Sequence, residues 1–376
     1  MHPASYWCMQ SKLVGAAELE TRSGTSAAMS HAPWLLLASV LVAAGFFIVR
    51  SVLRRVRTGQ PGLKARVVAL YCFPVKSCGA VQLEKATLTA CGIEHDREWV
   101  IVRKPATDEC ATVLTIRDYA KMVLLQPSFN ASGELVLTAP GGQSVTVTPP
   151  RKPRTVELML WRTRCRGEDQ GDAVARFLTD YFGCADRPVA LLRMSDTNAR
   201  PLAQCHKYVH APAVVDTADS GGVSKASDWA QFNILSTSTL AWLNRASGED
   251  KYGALHFRPN VLVAPSEAAL PFQEDAWERF AIGGVPFRFL KQTGRCQVPT
   301  VDPATGERDK RMEPLKTLMK RRGGVYEFLP RDHADATKKE AFLAVGARHR
   351  FEPGQSLRVG DEVVVSEFRA PARRVR

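Results

Sequence analysis

Apolar and polar residues alternate along much of the chain beyond residue 64, so the pattern predicts strands first. ARVVALYCFPVKS, starting at Ala65, reads as a strand that ends at Pro74. AVQLEKATLTA, EWVIVRK, ATVLTI, MVLLQPSF, ELVLTAP and SVTVTPP follow as further strand candidates, separated by Gly, Pro and Asn. GDAVARFLTDYF, Gly171–Phe182, has the helical period instead: Val174, Phe177, Leu178 and Phe182 share a face, and Gly183 supplies the stop. From Leu191 to Val223 the chain turns small and polar, which predicts a crossover. Beyond it NILSTSTLAWLNRASG predicts a strand running into a helix capped by Ser236 or Ser238, and RPNVLVA, RFAIGGVPFRFLKQ and DEVVVSEF predict more strands. The expected fold is mainly β, of the α+β class, with two β-rich domains at 65–190 and 224–370 joined by the crossover at 191–223.

The N-terminal region follows different rules. Trp34–Val49 reads WLLLASVLVAAGFFIV with no charge, and as a helix covers about 24 Å. Flanking residues extend it to 34–53, long enough to anchor in a thin bilayer. Arg50, Arg54, Arg55, Arg57 and Lys64 follow the run, whereas Lys12 and Arg22 before it are balanced by Glu18 and Glu20. The positive-inside rule then leaves the body in the cytosol. A cleaved secretory signal would carry its basic residues ahead of the apolar run. The expected order is a polar segment at 1–33, a single anchor at 34–53 and a basic linker at 54–64, with Met29 as an alternative start.

Charge and cysteines narrow the chemistry. With 51 Lys and Arg against 38 Asp and Glu the net charge is +13, which favours an anionic partner. Much of that excess is juxtamembrane and the strands lack an RNP-like aromatic pattern, so nucleic acid is not expected. The nine cysteines form no C-x-x-C pair, which removes zinc ribbons and iron–sulfur clusters. The glycine pairs open no strand–helix unit, so dinucleotide and triphosphate loops are also disfavoured.

Three short stretches could carry a site. The FPVKS corner presents Lys76 and Ser77, with Arg97 further on in HDREW; together they could clamp an anion, or serve as a surface lysine and a structural arginine. In FRPN, Arg258 and Asn260 share one side of an extended segment. Gly294, Arg295 and Cys296 end a strand ahead of a VDPATG turn, where a thiol suits a metal ligand, a nucleophile or a buried inert position. His206 and His210, four apart, lack the intervening Glu of a metalloprotease helix.

Taken together, YCFPVKSCGAVQLEKATLTACGIEHDREWVIV, FNILSTSTLAWLN, FRPNVLV, PFQEDAW, TGRCQVPTVDPATG and EPLKTL resemble the MOSC-domain molybdenum enzymes, and more closely the amidoxime-reducing components of mitochondria. The resemblance spans about Ala65 to Val365. It implies a β-rich N-terminal MOSC domain, a β-barrel-like MOSC domain and a molybdenum–molybdopterin cofactor between them. Cys296 would be the protein's sulfur ligand to molybdenum; Lys76, Ser77, Arg97, Arg258, Asn260, Gly294 and Arg295 would hold the cofactor. Asp228 matches an acidic position and is the candidate proton donor, whereas Trp229, Ala230 and the VGARHR stretch depart from the family pattern. The implied activity is reduction of small N-hydroxylated compounds, with NADH electrons arriving through a flavin reductase and a b-type cytochrome. The implied location is the outer mitochondrial membrane, facing the cytosol. An alternative is a cofactor carrier or sulfur-transfer protein with a persulfide on Cys296.

Overall fold

The computed structural model describes residues 64–104, 110–161, 163–202, 222–265, 270–324 and 340–368, which belong to one compact unit. The expected anchor at 34–53 and the His206 and His210 pair lie outside them. Among the described residues no helix is long and apolar enough to cross a membrane.

The first half opens with β1 (Lys64–Cys72), β2 (Val81–Leu83), β3 (Lys85–Thr89), β4 (Gly92–Ile93), β5 (Trp99–Arg103) and β6 (Ala111–Val113). A meander of β7 (Gln126–Phe129), β8 (Leu135–Thr138) and β9 (Ser144–Thr146) precedes β10 (Thr155–Leu160), β11 (Thr163–Asp169), helix α1 (Asp172–Phe182) and β12 (Val189–Arg193). Strands β10, β11, β12, β5 and β6 close into a barrel, sealed by the parallel pairing of β6 with β10. The unbroken apolar run of β5 exists because both of its faces are covered. Val100 and Val102 cluster with Leu158 and Leu192, while Trp99 and Ile101 cluster with Val174, Leu178 and Phe182 of α1.

The helix sits where its period places it, closed by Gly183 at φ 62°. Strand β12 corrects the expected boundary. Leu191 and Leu192 are fully buried and pair with Ile101 and Val100, so the barrel runs on to Arg193 and a crossover starting at 191 would cut it. MVLLQPSF also splits: Ala120–Leu124 is a 3-10 turn that buries Met122 and is followed by the equally buried Leu125, and only Gln126–Phe129 is strand.

The second half contains β13 (Arg200–Pro201), β14 (Val223–Ser224), β15 (Phe232–Ser236), α2 (Thr237–Ser247), β16 (Val261–Pro265), β17 (Trp277–Ile282) and β18 (Val285–Arg295). Helix α3 (Leu315–Arg322), β19 (Gly323–Gly324), β20 (Glu340–His349), β21 (Ser356–Arg358) and β22 (Glu362–Phe368) complete it. The Ser236 hydroxyl accepts the Thr239 amide at 3.2 Å, which settles the cap of α2. The sheet runs β15-β16-β1-β22-β17-β18-β20-β19, and β15 also pairs with β20, so the ring closes around Phe232, Phe280 and Phe287. β1 lies between β16 and β22, with Ala65 opposite Pro265 and Val363. The opening strand of the expected 65–190 domain is thus built into the second barrel.

Candidate functional site

The site forms where β1 ends. Phe73 donates its amide to Asp96 Oδ1 at 2.8 Å, Arg97 donates its amide to the Phe73 carbonyl at 2.8 Å, and Lys76 donates its amide to the Trp99 carbonyl at 2.8 Å. These bonds strap the 73–77 corner to the 95–99 turn. Ser77, Arg97 and Arg258 all adopt left-handed backbone, with φ of 72°, 48° and 52°. Such conformations cost non-glycine residues energy and persist only where the surroundings over-determine them.

From this corner the side chains reach the second half. The buried Lys76 donates to the Ala226 carbonyl at 3.0 Å and forms an ion pair with Asp228. Arg97 pairs with Asp96 and donates to Asn260 Oδ1 at 3.0 Å and to the Arg258 carbonyl at 3.2 Å. The guanidiniums of Arg97 and Arg258 both lie against the Phe73 ring, at 4.4 and 4.2 Å. Asn260 Oδ1 also accepts the Asn233 amide at 3.1 Å, and Asn233 Oδ1 accepts from Thr293 Oγ1 at 3.1 Å and Arg295 Nη2 at 3.4 Å. One polar network therefore joins Arg97, Arg258, Asn260 and Arg295, with Asn233 as the hinge between strands.

Within that network the expected residues divide into two kinds. Arg295 donates to the Leu343 carbonyl at 2.8 and 2.6 Å and to the Phe257 carbonyl at 3.0 Å, and Asn260 is buried with its amide used; both brace the backbone. Gly294 holds its place in the ladder opposite Phe342. Arg258, by contrast, spends Nη1 on the Cys78 carbonyl at 2.7 Å and leaves Nη2 without a hydrogen-bond partner among the described residues. Cys296, just past β18, is the only exposed thiol among the described cysteines. Burial pushes the thiols of Cys78 and Cys91 up, to about 12 and about 11, and raises those of Cys72 and Cys165.

Asp228, the candidate proton donor, lies against Lys76. Burial pushes its carboxyl up, but the Lys76 ammonium and the Trp161 indole N–H at 3.2 Å outweigh that and hold it at about 2. At neutral pH its charge is paired with Lys76, so a role in proton delivery would require that pair to part. The departures from the family pattern also meet. A Cβ on Gly346 would lie 1.9 Å from the Trp229 ring, so VGARHR needs its glycine to admit the indole. Lys291 Nζ lies 4.3 Å from the same ring.

Sequence reasoning missed Arg200, Glu98, Lys225, Asn233 and Trp161. Arg200 is buried, donates to the Lys225 carbonyl at 3.1 Å and to the Ser227 carbonyl, and leaves Nη1 unpartnered among the described residues. Glu98 receives Lys225 at 2.8 Å and Arg193 at 2.6 Å. No local pattern marks these residues, because their partners come from distant segments.

The electrostatics favour an anion. Burial lowers Lys76, and burial with the nearby Arg97 lowers Arg258 to about 9. Burial also brings Lys291 to about 8 and Arg295 to about 9. A buried anionic group would reverse that penalty, and the two orphaned guanidinium nitrogens offer it donors. Among the described residues no three His, Cys, Asp or Glu side chains are grouped to hold a metal, so a metal at Cys296 must bring further donors of its own. A cleft lined by Phe73, Ile116, Gln126, His256, Arg258 and Val298 opens between the halves beside this cluster.

Comparison with known proteins agrees with this layout. Residues 64–185 match the MOSC N-terminal beta barrel domain and residues 222–364 the MOSC domain. The mitochondrial amidoxime reducing component 2 of Bos taurus is 28% identical over 326 residues, covering 82% of this chain and 87% of that protein. The mitochondrial amidoxime-reducing component 1 of Homo sapiens is 28% identical over 259 residues, covering 67% and 70%. The molybdenum cofactor sulfurase of Homo sapiens is 25% identical, covering 65% of this chain but 27% of its own length. With both MOSC domains matched over most of the chain and two barrels formed by it, the chain belongs to the MOSC-domain family.

Proposed function

We propose that the protein is a molybdenum-cofactor-dependent reductase of N-hydroxylated compounds such as amidoximes and hydroxylamines. The observation that carries this reading is the polar network that joins Arg97 and Arg258 to Arg295, the neighbour of the exposed Cys296, with Arg258 Nη2 left without a hydrogen-bond partner among the described residues. When bound, the cofactor supplies two-electron removal of the N–OH oxygen, which leaves as water after uptake of two protons. The chain's own residues bind and orient. Lys76, Arg97 and Arg258 fit the anionic end of a molybdopterin, Cys296 offers the protein's thiolate, and Arg295 with Asn260 keeps the two strand ends in register. The sulfur supplied by a pterin dithiolene makes a single cysteine sufficient, which matches the donor set.

Electrons would come from NADH through a flavin reductase and a b-type cytochrome, and the protein would sit on the outer mitochondrial membrane, facing the cytosol. Accessibility of a C-terminal tag to protease on intact mitochondria tests that orientation. Similarity to cofactor sulfurases, together with the exposed thiol, supports a second reading, in which Cys296 carries a persulfide or the chain stores cofactor. Molybdenum and pterin analysis of the purified protein, combined with benzamidoxime reduction, separates the two. In Cys296→Ala we expect folded protein, pterin still retained by the cations, and lost reduction. Undiminished turnover would remove Cys296 from the site; bound cofactor without turnover in the wild type would favour the carrier.

A further inference from the structure

Helix α3 presents a face that the site itself does not use. Leu318 is fully buried, Leu315 is partly buried, and Arg322 is ion-paired with Asp275 and 3.8 Å from the Phe272 ring; their three- and four-residue intervals fix the inward side. Lys316, Met319 and Lys320 consequently point outward, flanked by Arg321 and, in the preceding turn, Lys310. These four cations are exposed and have no ion-pair partner among the described residues. The neighbouring acids are mostly occupied. Asp309 and Glu249 are held by Lys251 and Arg311, Glu313 accepts the Thr317 amide at 3.1 Å, and Glu307 stays exposed further back in the turn. Met319, 39% exposed, is an apolar centre within the positive ring.

The face also lies close to the thiol. Helix α3 runs into β19, where Gly323 pairs with Ala341 of β20, and Ala341 pairs with Arg295, the neighbour of Cys296. Two strand spacings, about 10 Å, separate Gly323 from Arg295. A membrane-seated helix needs a broad apolar face, but here Leu315 and Leu318 are turned inward and only Met319 remains. A small apolar centre ringed by one sign of charge suits a transient, steered protein encounter.

We propose that this face of α3, around Met319, docks the acidic surface of the redox carrier protein that supplies electrons to the Cys296 site. This rests on the reductase reading above. The test uses the full chain, its Lys316→Glu/Lys320→Glu variant and a milder Lys316→Gln/Lys320→Gln variant, each checked for an unchanged melting temperature. The probes are a b-type cytochrome with its flavin reductase, dithionite-reduced methyl viologen as a chemical donor, and phosphatidylserine vesicles. The charge reversal should weaken cytochrome binding on the order of tenfold, flatten its salt dependence and slow NADH-driven turnover, with the Gln variant in between. Turnover with the chemical donor should be unchanged. Cytochrome affinity equal to wild type in the reversed variant overturns the docking surface. Loss of vesicle binding with cytochrome affinity intact also overturns it and assigns the face to lipid. Wild type that fails even with the chemical donor, despite bound molybdenum, sinks the reductase reading and leaves the binding arm to judge the surface.

Discussion

Glu98 illustrates how much of the site rests on single buried charges. Its side chain is 3% exposed and meets Lys225, Arg193 and His95. Burial pushes the carboxyl up, yet bonds from His95 and Lys225 bring it down to about 2 from 4.5. The stability it contributes is present above pH 4.5 and is lost as pH falls through about 2. Glu98→Gln should cost about 1–3 kcal/mol in urea unfolding, because Lys225 loses its buried partner and keeps only Asp196 at 3.0 Å, whereas Glu98→Leu with Lys225→Met should recover part of that loss. Asp228 keeps half its surface in water, so Asp228→Asn should cost less, about 1–2 kcal/mol, and leave the pH profile of turnover above pH 5 unmoved. An acidic limb near neutrality that disappears in Asp228→Asn would identify it as the proton donor. Lys76, Arg97, Arg258 and Cys296 became candidates through the joint likeness of several motifs to a family, since each short segment alone left a plain structural reading open. The partner that consumes Asp228 lies 152 residues away in sequence, and no local pattern announces such a pair.

Elements were legible where their hydrophobic pattern matched their burial. Helix α1 and β15 through β18 formed as the pattern predicts, and GG between β17 and β18 makes a two-residue turn with φ of 57° and 84°. Strand β20 escaped notice because EAFLAVGARH is buried almost throughout, and a continuously apolar run lacks the alternation of a half-exposed strand. Its last residue carries a testable property. His349 is buried, bonds through Nδ1 to Gln231 Oε1 at 3.0 Å, and is held by burial at about 4, below its ordinary 6.5. The unfolded chain therefore takes up the proton first as pH falls. The stability that His349 contributes is whole above pH 6.5 and falls by about 3 kcal/mol towards pH 4. Urea titrations across that range should show the slope, and His349→Gln should flatten it; an equal slope in the variant would place the titrating group elsewhere.

At the scale of the molecule, two domains in sequence are not two domains in space. The pattern divides the chain by composition, but the pairing of Ala65 with Pro265 joins residues 200 apart, and register at that distance leaves no trace in local sequence. Lys76 and Arg97 then cross the same seam through Ala226, Asp228 and Asn260. Deleting β1 would expose β16 and β22 as unpaired edges in the middle of the second barrel. A chain starting at residue 222 should therefore aggregate, although it contains the whole matched MOSC domain. The full chain should unfold in one transition, because the 64–77 segment places β1 in the second barrel and Val75 in the core of the first. Barrel one can be followed by fluorescence of Trp99, buried on β5, with the other six tryptophans replaced by Phe; barrel two can be followed by Trp277, with Trp99 and the other five replaced. Coincident midpoints in urea are expected from both probes. Midpoints that separate, with the second barrel surviving the first, would mean that β1 is a passenger in its sheet rather than the strand that couples the two halves.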